Sequence, residues 1–229
     1  MRELIFRQTL TIIAKDLRRE WRTREVLITT VAFAVLLMVV FTFAFYRGDE
    51  TTPLVFPGIL WVAIVFTGTL AISRTFQHER QNDCLRALAL VPGTHVSLYL
   101  GKFVTNLIFM VLFELALIPL LLITFSVDMT GVLHLHLLVI AVGTFGFAAL
   151  GTVVSAMLVR NELREVLLPI VLYPLLIPLI IAGVQVTSTL LDGADWTQVG
   201  PWIQAMIAMD IVYILLSLVL FRWVLAAVE

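Results

Sequence analysis

Residues 103–125 read FVTNLIFMVLFELALIPLLLITF, an apolar run with a single ionisable side chain, Glu114, near its middle. A hydrocarbon core about 30 Å thick is crossed by roughly 20 apolar residues in helical form. Lipid offers the backbone no hydrogen-bond partners, so a run of this length must satisfy its own peptide groups, and it reads as a spanning helix. Working outward, five more runs have the same character: 26–46, 53–73, 132–159, 166–186 and 203–221. The expected fold is therefore all-α, a polytopic membrane protein with six transmembrane helices in one domain over 1–229. Composition agrees. The chain is 61% hydrophobic and 14% charged, against roughly 45–50% and about 25% for a soluble domain. Too little polar surface remains to clothe a soluble enzyme. The run at 26–46 is too long, and starts too late, for a signal peptide.

Loop charge predicts the orientation. Of 15 Lys and Arg, 14 fall before the first run, between runs two and three, between runs four and five, or after the sixth. Only Arg47 falls on the other side, which instead carries Asp49, Glu50, Asp128, Asp192 and Asp195. Both termini are expected in the cytoplasm of a bacterial inner membrane. The net charge of −1 gives no reason to expect a nucleic-acid partner. One cysteine, Cys84, excludes an intrachain disulfide.

Two segments outside the runs have a pattern of their own. Phe6, Leu10, Ile13, Leu17 and Trp21 fall on one face of a helix. Arg7, Lys15, Arg18, Arg19 and Arg22 lie largely off that stripe. Such an amphipathic helix belongs in the membrane interface with its apolar face toward lipid. It either anchors the chain or forms an elbow beside the spans that touches a cytoplasmic partner. The long loop from Arg74 to Lys102 contains a short helix expected over 81–90, ended by Pro92-Gly93. Its mixture of apolar and charged residues suits a protein partner or the membrane surface.

Chemistry-bearing motifs are absent. The chain has no HExxH, GxSxG or metal-spaced cysteines, and Gly101-Lys102 lacks the rest of a phosphate-binding loop. A non-catalytic chain is expected, with no metal site and no resident cofactor. His134 and His136, at the outer start of the fourth run, point to nearly opposite sides of a regular helix. They are weak candidates for haem contact, and interfacial hydrogen bonding is the alternative. Glu114 and Asp210 lie deep in the bilayer, where a carboxylate costs about 2.5–3.5 kcal/mol on insertion scales. Each is either a hydrogen-bonded acid or part of a polar pathway. Pro169, Pro174 and Pro178 predict a bent or broken fifth span. Thr144, Ala148, Thr152 and Ala156 form a stripe of small residues suited to close helix packing.

These features resemble ABC-2 type exporter permeases, and more closely the cytochrome c maturation protein B family, the haem exporter permease. The stretches that carry the resemblance are LRREWRTRE at 17–25, PGILWVA at 57–63, residues 85–102, and 167–183 with its Leu-Leu-Pro and PLLIPLI. The head of the loop helix reads Asp83-Cys84-Leu85-Arg86, where the family often has aspartate-glycine-threonine/serine-leucine-glutamate. The resemblance implies a coupling helix whose Glu79, Gln81, Asp83, Leu85, Arg86, Leu88, Leu90 and Pro92 meet a cytoplasmic ABC ATPase. It implies an elbow helix formed around Leu17, Arg18, Trp21 and Arg22. ATP would bind the partner, in two copies, and haem is a candidate cargo rather than a bound group. Other implied partners are a haem-handling membrane protein and a small membrane subunit, with a homodimer as one arrangement. The implied output is haem delivery, or release of a haem-loaded periplasmic chaperone. Three readings compete with this one: an ABC-2 exporter of a lipid, polysaccharide or drug; a haem-binding membrane protein or oxidoreductase; and a passive scaffold.

Overall fold

A computed structural model describes residues 2–45, 52–76, 94–127, 131, 133–193 and 196–226, which form helices and short turns and no strand. The seven α-helices among them are α1 (Arg2–Thr23), α2 (Glu25–Phe45), α3 (Thr52–Ser73), α4 (Thr94–Phe125), α5 (Leu133–Met157), α6 (Arg164–Leu191) and α7 (Trp196–Ala226). Helices α2 to α7 are each long and apolar enough to cross a membrane. The chain is a multi-pass membrane protein. The expected coupling helix at 81–90 lies outside the described residues.

α5 is the hub of the bundle. It packs against α3, α4, α6 and α7 and buries 16 of its 25 residues. Its sequence explains the position, because Gly143, Gly146 and Gly151 let neighbours approach the backbone itself. The indole of Trp61, from α3, fills the notch between Gly143 on α5 and Gly183 on α6. A Cβ at either glycine would lie 2.3 Å or 2.2 Å from the ring. The indole N–H donates to Thr187 Oγ1 at 3.1 Å, so the one polar atom of this buried side chain is satisfied. α2 is the opposite case. It buries only Thr30 and Ala34 and leans on α3 and α4 with most of its apolar surface outward.

Two helix boundaries differ from the apolar runs. α4 begins at Thr94 and α7 at Trp196, both well ahead of the runs at 103 and 203. Hydropathy marks where lipid is met, whereas the helix continues for as long as its side chains find partners. α6 is one helix through Pro169, Pro174 and Pro178, so the span is not broken. Proline removes backbone donors but does not forbid continuation when neighbours compensate. In the turn between Pro174 and Pro178, the Tyr213 hydroxyl of α7 donates to the Leu175 carbonyl at 2.6 Å.

Candidate functional site at the basic end and mid-membrane

α1 and α2 are joined by a single residue, Arg24, at φ 52°. This left-handed residue turns the chain sharply, and its N–H still donates to the Glu20 carbonyl at 2.7 Å. Glu20 then receives the Leu27 N–H on its Oε1 at 2.9 Å, which caps the first turn of α2. The elbow is thus encoded within Glu20–Leu27.

α1 packs along α4 through a face the apolar pattern did not reveal. Ser97 donates to Gln8 Oε1 at 2.9 Å. Ile12 sits directly over Gly101, where a Cβ would meet it at 2.7 Å. Asp16 pairs with Lys102 at 2.9 Å. Gln8, Ile12 and Asp16 are spaced by four, one helix face, but two of the three are polar and so escape a hydropathy search. The stripe that the search finds points outward instead. Phe6, Leu10 and Trp21 are exposed, and Ile13 and Leu17 are half-buried. Arg18 and Arg22 are exposed as well.

Lys102 and Arg164, which sequence placed among loop cations, are both buried. They converge with Ser155 on the C-terminal end of α3, whose last carbonyls have no intrahelical donor. Ser155 of α5 donates to the Ile72 carbonyl at 3.1 Å. Arg164, the first residue of α6, donates to the Ser73 carbonyl. Lys102 of α4 donates to the Thr75 carbonyl at 2.9 Å and lies 5.4 Å from the centroid of Phe76. Three helices therefore cap a fourth. A cation at a helix C-terminus is worth about 0.3–1 kcal/mol when exposed and up to about 2 kcal/mol when partly buried. The network continues inward: Thr75 Oγ1 donates to Asn106 Oδ1, and Asn106 Nδ2 donates to Thr152 Oγ1, each at 2.8 Å. Outward, Arg74 pairs with Glu25 at the start of α2.

The two intramembrane acids sit on opposite sides of α5. Thr144 Oγ1 donates to Glu114 Oε1 at 2.5 Å. Asp210 of α7 presses on the backbone at Gly146, where a Cβ would fall 1.9 Å from its Oδ1. That oxygen is buried with no hydrogen-bond partner among the described residues. Thr144 and Gly146 are two positions apart and so face opposite ways. The acids occupy similar depth without sharing a site. His134 is exposed and His136 is buried, so the two do not converge. Glu79, Gln81, Asp83, Leu85, Arg86, Leu88, Leu90 and Pro92 lie outside the described residues.

A family model described as CcmB protein matches residues 7–226, almost the whole chain. The chain belongs to the CcmB family. It is also similar to heme exporter protein B of Pseudomonas aeruginosa, 23% identical over 182 residues that cover 80% of this chain and 81% of that one. For a CcmB chain, the PGILWVA stretch has a clear structural use, because its tryptophan locks α3 into α5 and α6. Lys102 and Arg164 likewise hold the chain at the end of α3, just before residues 77–93. Lys102 and Arg164 were the residues that sequence reasoning missed. A cation beside an apolar run reads as interfacial, and nothing local reports a carbonyl arriving from another helix.

Proposed function

We propose that this chain is the non-catalytic membrane permease subunit of an ABC-type complex that serves cytochrome c maturation. A separate cytoplasmic ATPase, in two copies, hydrolyses ATP and moves the helix near 81–90. The membrane helices convert that motion into haem delivery, or into release of a haem-loaded periplasmic chaperone. A haem-handling membrane protein and a small membrane subunit complete the assembly. In this reading both termini are cytoplasmic in the inner membrane. α1 lies in the inner interface with Phe6, Leu10 and Trp21 in lipid and Arg18 and Arg22 at the headgroups.

The observation that carries the mechanism is the clamp on α3. Residues 77–93 follow directly from the helix end held by Lys102, Ser155 and Arg164. A push on that segment enters α4, α5 and α6 together, and reaches α1 through Asp16. A bistable rearrangement needs such a shared contact. Family membership and the relative's name support haem as the cargo.

The test is a haem stain of c-type cytochromes in cells lacking the gene, with and without a plasmid copy. Loss of all c-type haem, restored by the plasmid, is the expected result. Normal c-type cytochromes with no compensating paralogue would leave the alternative, an ABC-2 exporter of a lipid, polysaccharide or drug. Leu85→Asp with Leu88→Asp is expected to release the ATPase while the spans remain inserted. Retained ATPase binding by that double variant would reject the coupling helix.

A further inference from the structure

Thr30 is an exception among the threonines of this bundle. Thr29, Thr42, Thr67, Thr69, Thr105 and Thr152 each donate to the carbonyl four residues back, the usual way a helical threonine is satisfied in an apolar setting. Thr30 is 3% exposed, and its Oγ1 has no hydrogen-bond partner among the described residues. It faces a cavity of about 10 Å³ whose other polar walls are Thr67 and Glu114. A polar cavity of that size accommodates one water. Among the described residues, Glu114 is the one charged side chain that lines it; Thr30 from α2 and Thr67 from α3 are its polar neighbours there, and Thr144 from α5 bonds its Oε1.

The cavity is the deep end of a longer feature. Lys102, Asn106, Met110 and Glu114 are spaced by four along α4, a single stripe that runs from the basic end to mid-membrane. At about 1.5 Å per residue the stripe is roughly 18 Å long, over half of the hydrocarbon core. A second cavity of about 60 Å³ lies at its basic end, with Glu25, Arg74, Lys102 and Asn106 in its walls. Ala71 lines both cavities. Met110 is a wall of the deeper cavity and stands between Asn106 and Glu114 on the stripe, buried, with its methyl against Gly68. An unbranched thioether can swing where a branched side chain cannot.

We propose that Thr30, Thr67 and Glu114 form a mid-membrane water and proton site, reached from the basic end of the bundle past Met110. Water carries a proton along the seam to the Glu114 carboxylate, and the carboxylic acid returns it by the same route. Asp210 lies on the far side of α5, pressed on Gly146, and takes no part in this site. The site does not depend on which cargo the complex handles.

Infrared exchange of the full-length chain in lipid nanodiscs tests this. The carboxylic C=O stretch of each acid is identified by its loss in Glu114→Gln or Asp210→Asn. On transfer to D₂O the Glu114 band is expected to shift while the protein stays folded, at a rate set by the seam. Met110→Ala should speed that exchange and Ala71→Leu should slow it. Thr30→Val should move the band to higher frequency, because a hydrogen-bonded water is lost. The proposal is overturned if the Glu114 band fails to exchange in the folded protein, or if its rate ignores both seam variants. Absence of any Glu114 carboxyl band from mildly acid to mildly alkaline pH overturns it equally.

Discussion

The middle and the C-terminal end of α3 are held by different physics. Near its middle, Trp61 fits a notch made by Gly143 and Gly183, and fit there is a matter of shape. At its C-terminal end, Ser155 and Arg164 bond the carbonyls of its last residues, and Lys102 bonds that of Thr75 just beyond. Shape complementarity in a close-packed interior has one solution and resists displacement. A cap made of side-chain bonds can be exchanged for others as a neighbouring segment moves. The fixed point is mid-helix, and the exchangeable end adjoins residues 77–93, which the proposed function gives to an ATPase. That division suits a lever pivoted at Trp61 and driven from its basic end.

Substitutions can break this comparison at either end. The largest effect is expected from Asp16→Asn, which leaves Lys102 buried without its carboxylate; removing one partner of a buried pair costs about 3–5 kcal/mol at most. Thermal unfolding in detergent would measure it, and the double change Asp16→Asn with Lys102→Met should recover most of the loss. If the double variant is as unstable as both singles added, the pair is not the contact that matters. Next comes Gly183→Ala, which drives a methyl into a rigid indole and is expected to cost about 1–3 kcal/mol by overpacking. Gly146→Ala should cost less, although its Cβ would lie closer to its neighbour, because that neighbour is the end of a rotatable Asp210 side chain. Equal losses at the two glycines would show that the indole yields as easily as a carboxylate.

Smaller effects sharpen the picture. Thr187→Val strands the Trp61 N–H and should cost about 1 kcal/mol; an unchanged unfolding midpoint would mean that shape alone holds the indole. Arg24→Gly should stabilise by less than about 1 kcal/mol, since glycine tolerates the left-handed turn at the elbow. A loss of stability would assign the arginine a contact beyond its backbone. The two classes of variant should also differ in function. If the proposed function holds, clamp variants are expected to uncouple ATP hydrolysis by the partner from cytochrome maturation in inserted protein, and notch variants to lower the amount of protein. Immunoblots alongside haem staining would separate them.

Much of the fold was legible because lipid imposes it. Each long apolar run had to be a helix, so six helices capable of crossing a membrane followed from hydropathy. The elbow stripe was legible as a periodicity. Its partner face was not, because Gln8 and Asp16 break the apolar pattern while making the contact. The acids at 114 and 210 were visible as anomalies of charge in an apolar run. Their different surroundings were invisible, since Thr144, Gly146 and Thr30 come from elsewhere in the chain.

By itself the sequence determined the helical class, the apolar segments and the positions of the polar residues that lipid makes costly. These depend on local composition and on the energy of placing each residue in hydrocarbon. Only the tertiary structure decided which helix is central, that a tryptophan fills a notch of two glycines, and that two loop cations are buried caps. Those outcomes depend on close approach between segments far apart in the chain, which neither hydropathy nor periodicity records.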